Sequence, residues 1–158
     1  MVELKACLNQ SKGIKFSKFN NQIIKGYMKM AEDSLGTMQR EKDKNLIFAV
    51  SACYYSMYYS LYSILQKIGI KCEIHSCSIK FMELYLKKFY SKEDCNLIQI
   101  AFSCRNNLQY YVDRNVNKSD LKLIFFGARM FVSKSKIILS KINKEFIGEI
   151  IKELEKLK

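Results

Sequence analysis

The sequence predicts an all-α protein, an up-and-down bundle of four to five helices followed by a C-terminal helix. Three observations carry that expectation. The 158 residues include no Pro and only six Gly, too few turn formers for the many tight connections of a β-sandwich or barrel. Hydrophobic residues make up 49 % and charged residues 27 %, which is a globular profile and not a disordered one. Apolar residues recur at three- and four-residue spacing along most of the chain, the period of a helix with one buried face. The length suits one domain, residues 1–158, without room for a second core.

Residues 1–15 read as a short arm. A helix is expected from near Phe16 to about Arg40, with Phe19, Ile23, Ile24, Tyr27, Met30, Ala31, Leu35 and Met38 on its apolar side. The charged run 41–44 breaks it. Residues 45–66 carry no charge at all. That length would permit a membrane span, but Ser51, Ser56, Ser60, Ser63 and five Tyr are distributed through it, and Tyr favours the membrane interface over its centre. The stretch is therefore expected to be the central helix of a bundle, and no membrane partner is expected. Gly69 stands where a helix stop belongs. A third helix is expected over about 76–89. A fourth opens at Ser91, with Glu93 and Asp94 at the positive end of its dipole. Ser119 and Asp120 read as the cap of a fifth, ending near Ile142, so the bundle core covers about residues 16–140. Residues 143–158 alternate in charge and read as a solvated, amphipathic terminal helix.

The formal net charge is +12, from 27 basic and 15 acidic residues. Such an excess favours a polyanion or an acidic protein as partner, although a Lys- and Ile-heavy composition produces the same excess with no partner. Residues 1–30 and 116–142 each hold six basic groups and one acid, whereas 91–115 are balanced. The polar N-terminal residues lack the apolar run of a signal peptide. A reducing, cytoplasmic compartment is expected, with Cys7, Cys53, Cys72, Cys77, Cys95 and Cys104 as free thiols.

Few chemistries are open to these residues. There is one His, His75, and no Gly-rich phosphate loop. Cys72, Glu73, His75 and Cys77 crowd one segment, but structural zinc takes two separated ligand pairs and no second pair follows. Neither a metal nor a cofactor is expected, and His75 and Ser76 read as caps of the third helix. Two features are unusual. Tyr54, Tyr58 and Tyr62 share one helix face, with Tyr55 and Tyr59 on the adjacent ridge. Buried phenols need hydrogen-bond partners, so this helix faces a polar cleft, a partner chain, or Arg and Asn groups of a neighbouring helix. Arg105, Asn106, Gln109 and Tyr110 interrupt an apolar helix, with Arg105 and Gln109 one turn apart. An Arg in such a place is costly unless paired. It is held by a carboxylate, by Tyr hydroxyls, or by a ligand.

Residues 27–37, the Tyr-rich stretch 49–65, His75-Ser76 and Arg105–Tyr110 follow in an order that resembles the HEPN (higher eukaryotes and prokaryotes nucleotide-binding) domain family. The small stand-alone prokaryotic branch has a helix of pattern A-x-x-A-x-Y-Y-A-x-F, which stands here as Ala49, Ala52, Tyr54, Tyr55, Ser56 and Tyr58. Its later motif, R-x-x-A-D-Y, stands as Arg105, Leu108, Gln109 and Tyr110. The resemblance implies a homodimer, often paired with a minimal nucleotidyltransferase in a toxin–antitoxin module. Active members resemble metal-independent endoribonucleases in which an Arg stabilises phosphate charge and a His moves a proton. By this likeness Arg105, Asn106 and Tyr110 are the catalytic candidates. Arg105, Gln109, Tyr54, Tyr55, Tyr58 and His75 are the candidates for binding RNA or a nucleotide. Tyr stands where active members carry His, and a phenol of ordinary pKa ~10 is a poor base at neutral pH. Ribonuclease activity is thus expected to be weak or lost. The alternative is a non-catalytic helical module that binds a nucleotidyltransferase-like partner.

Overall fold

A computed structural model describes residues 3–157. In chain order the elements are α1 (Leu4–Asn9), β1 (Lys15–Phe16), α2 (Asn21–Glu41), α3 (Leu46–Ile68), β2 (Ile70–Lys71), α4 (His75–Tyr85), α5 (Lys92–Tyr110), α6 (Lys118–Lys141) and α7 (Lys144–Glu155). The expected all-α class is what forms. Helix α3 is its centre, with sixteen of its 23 residues buried, and it packs against α2, α5 and α6. The short turn after α2 makes α2 and α3 antiparallel. Cys53 Sγ meets Ile124 O at 3.3 Å and Ser60 Oγ meets Ser135 Oγ at 3.1 Å, so α3 and α6 run in the same direction. Asp94 bonds to Lys134 and Leu97, further along α5, packs on Gly127, earlier in α6, so α5 runs antiparallel to α6 and hence to α3. Among the described residues no helix is long and apolar enough to cross a membrane.

Local signals set several boundaries. Gly69 ends α3 at φ +88°, a conformation that L side chains avoid. Ser91 and Asp94 form a reciprocal capping box at the start of α5. Other expectations are corrected by long-range bonds. Helix α2 starts at Asn21 and not near Phe16, because Phe16 pairs with Ile70 across the small antiparallel sheet and Ser17 N donates to Gly69 O. Asn20 then caps the helix through Gln22 N and Ile23 N, leaving Phe19, Ile23 and Met30 exposed. Helix α4 ends at Tyr85, four residues early. Its N-cap is Ile74, so His75 and Ser76 are no caps, and Asn117 rather than Ser119 or Asp120 stands at the cap of α6.

The N-terminal segment is not a loose arm. Cys7 of α1 is bonded to Cys77 of α4 in a disulfide across 70 residues, which corrects the expectation of six free thiols. Gly13 lets the chain turn back tightly here, since a Cβ at that position would meet Cys7 O at 1.8 Å. Cys53, Cys72, Cys95 and Cys104 are free and buried, as small apolar residues should be. At the other end α7 folds over the bundle, with Phe146 edge-on to Phe89 at 5.3 Å.

Candidate functional site

Helix α5 buries Ile98, Ala101 and Arg105, one apolar stripe at spacings of three and four. Arg105 therefore enters the bundle where the pattern calls for an aliphatic residue, and only 8 % of it is exposed. Opposite lies α3, whose Tyr55 ridge faces it. Arg105 Nη2 donates to Tyr55 OH at 3.0 Å and to Tyr110 OH at 2.9 Å, and Nη1 donates to Asn106 Oδ1 at 3.1 Å. The guanidinium lies 5.2 Å from the ring centroids of both Tyr55 and Tyr110 and 5.9 Å from that of Tyr54, within cation–π range.

No carboxylate pairs with this cation among the described residues. Its compensation comes from neutral acceptors, from aromatic faces and from the negative end of the α5 dipole one turn away. Two consequences follow. Arg105 Nε is buried without a hydrogen-bond partner among the described residues, a rare condition for a donor. Tyr55 and Tyr110 accept from Arg105 and donate to no described residue, so their O–H protons are unspent. The cluster holds more donors than acceptors around a positive charge, and Tyr110, 60 % exposed, forms its outer wall.

His75 joins from the first turn of α4. Its Nδ1 and Tyr54 OH are 2.7 Å apart, and its ring stacks on Tyr58 with centroids at 4.0 Å. Burial, and next the positive charge of Arg105, lower the His75 pKa from 6.5 to about 4, so the imidazole is neutral at pH 7. Burial pushes the Tyr54 and Tyr58 phenols up, overriding Arg105 at Tyr54 and the Ser78 hydrogen bond at Tyr58. These hydroxyls stay protonated. An imidazole with so low a pKa is not in its acidic, imidazolium form at neutral pH, so it is a poor general acid, and it takes up a proton weakly. The arrangement favours holding an anion over moving protons.

Of the sequence-derived candidates, Arg105, Asn106, Tyr110, Tyr54, Tyr55, Tyr58 and His75 come together. Tyr58 contributes its ring only, because its hydroxyl points to Ser78 Oγ at 3.4 Å and Cys72 O at 3.5 Å. Gln109 is exposed and bonds to none of the cluster. The Cys72–Cys77 segment forms no metal group among the described residues, with Cys77 spent in the disulfide. Phe102 was missed by sequence reasoning. It packs 5.4 Å from Tyr54 and 6.1 Å from His75, and its place three residues before Arg105 was the available signal. No protein-family model and no curated protein matches the chain.

Proposed function

We propose that the chain is a HEPN-like protein that binds RNA or a nucleotide through Arg105, with ribonuclease activity weak or lost. The observation that supports this reading most is the buried guanidinium that, among the described residues, lacks a carboxylate and keeps an unpartnered Nε–H beside the hydroxyls of Tyr55 and Tyr110, which accept from it and donate to no described residue. A phosphate group accepts from such a constellation through several oxygens at once. Asn106 and Tyr110 orient the guanidinium, and the Tyr54–His75 pair walls the site. The neutral His75 and its lowered pKa argue against efficient general acid–base cleavage. The reading includes a homodimer and, as partner, a minimal nucleotidyltransferase in a toxin–antitoxin-type module. It also includes the cytoplasm as compartment, against which the Cys7–Cys77 bond pulls, since such bonds are rare there.

The test incubates purified protein and its Arg105→Ala variant with a labelled single-stranded RNA. Integrity is read on gels and affinity by anisotropy at two salt concentrations. The expected result is intact RNA with both proteins and a loss of about tenfold in affinity for the variant, the scale of one charge-assisted contact. A steep salt dependence shared by both proteins would assign binding to the surface lysines. Equal affinity and equal integrity would contradict the Arg105 reading. That result would leave the non-catalytic interaction module, which is favoured separately by exposed apolar residues on α6.

A further inference from the structure

Helix α6 buries Ile124, Ala128, Phe131, Ser135 and Ile138. A second apolar row runs beside that face and meets solvent: Leu123, Phe126, Met130 and Ile137. Phe126 is 83 % and Met130 68 % exposed. Together with Lys134 and Lys141 these residues repeat at spacings of three and four, so they form one stripe about 27 Å long at 1.5 Å per residue. Two grooves of about 650 and 660 Å³ flank the stripe and meet at Phe126. Monomeric proteins seldom leave such a row in water unless something covers it.

Charge selects the occupant. Lys42, Lys88, Lys122, Lys134 and Lys141 line the two grooves. The one acid lining them, Asp94, is already bonded to Lys134 at 2.6 Å. A second copy docking on this stripe would set Lys122, Lys134 and Lys141 against the same three lysines, a like-charge juxtaposition that disfavours pairing. Nucleic acid would satisfy the lysines but has no aliphatic groups to bury Leu123, Met130 and Ile137. A flat membrane surface would not fill grooves on both sides of Phe126. An amphipathic helix with an apolar seam and acidic flanks satisfies all three features: length, concavity and sign.

We propose that the α6 stripe is the docking surface for an acidic amphipathic helix of a partner protein. Apolar side chains of that helix pack along Phe126, Met130 and Ile137, and its carboxylates meet Lys122, Lys134 and Lys141. This surface functions independently of Arg105.

The probes are three synthetic helical peptides of equal length. One has a Leu seam flanked by Glu, one has Lys in place of Glu, and one has Ser in place of Leu. Binding to the full chain is read by anisotropy. The Glu–Leu peptide should bind about tenfold tighter than either control. Phe126→Asp with Met130→Asp should remove about tenfold of that affinity, and Lys122→Glu with Lys141→Glu should weaken it most at low salt. All these side chains are exposed, so melting curves should match the parent. The Arg105→Ala variant should bind the peptide as the parent does, which separates failure here from failure of the RNA reading. Indifference to peptide charge or to the Phe126 and Met130 changes would overturn the proposal. So would a dimer dissociated by those changes, or anionic vesicles or RNA that depend on Phe126 more than the peptide does.

Discussion

Two polar clusters lie inside this bundle, and they end differently. Tyr90 OH meets Ser135 Oγ at 2.6 Å. Ser135 Oγ reaches Ser60 Oγ at 3.1 Å and Phe131 O at 2.9 Å, and Ser60 Oγ donates to Met57 O at 2.8 Å. Each hydroxyl proton in that chain has an acceptor, and the chain ends on backbone carbonyls. Around Arg105 the count among the described residues is open: a cation without a carboxylate, an Nε–H without a partner and two phenol protons without a protein acceptor. A closed polar network fastens helices together. An open one at the edge of the same core leaves donors directed to whatever acceptor reaches it. Burial alone therefore does not mark a functional polar residue. The direction of the imbalance does, and here it calls for an anion.

The largest effect lies outside both clusters and separates fold from site. Reducing Cys7–Cys77, or changing both residues to Ser, should cost about 2–4 kcal/mol of stability, read by denaturant unfolding. Anion binding should survive in the protein that remains folded, because Arg105 is held by α3 and α5. Breaking the closed cluster comes next. Tyr90→Phe should cost about 1–2 kcal/mol and leave RNA affinity unchanged. Arg105→Met should do the reverse, leaving the melting temperature unchanged or raised, since a buried charge that lacks a carboxylate partner among the described residues is removed, while RNA affinity falls. Equal behaviour of these two variants would dissolve the comparison.

Much of this could be read from the sequence, and the remainder depended on contacts made at a distance. The stripe Ile98, Ala101, Arg105 announces a buried guanidinium from spacing alone, and the Tyr-rich stretch announces the wall it meets. Gly69 and Ser91 are local signals and acted locally. His75 was a candidate, yet the segment before it is held by Lys12 O through Glu73 N and the helix that carries it by Cys7 through Cys77, partners some 60 to 70 residues away. The same disulfide docks the N-terminal arm on the bundle. The start of α2 moved because Ser17 N found Gly69 O, a partner 52 residues away. Gln109 shares a helix side with Arg105 but lies a turn beyond the packed part of α5, where solvent replaces α3.

Acid sharpens the contrast by a smaller amount. The folded-state pKa of His75 lies below its ordinary 6.5, at about 4, so the unfolded chain binds the proton more readily. Stability from this group is full above pH 6.5 and is lost as pH falls from there toward 4. His75→Gln should flatten that part of the stability profile, and a bound anion should raise the His75 pKa by offsetting Arg105. A slope unchanged in the variant would remove His75 from the account. The smallest change is Tyr55→Phe, which deletes one of the two unspent O–H donors and should weaken RNA binding about threefold to tenfold.

The most direct measurement is the ¹⁵N–¹H resonance of Arg105 Nε, followed as a nucleoside monophosphate and then a short RNA are added. If Arg105 holds the anion, this signal shifts saturably, with the His75 ring moving in step and the Tyr90 region still. If the Arg105 signal stays fixed while only lysine-bearing surfaces respond, the guanidinium is a structural group and the anion site does not exist.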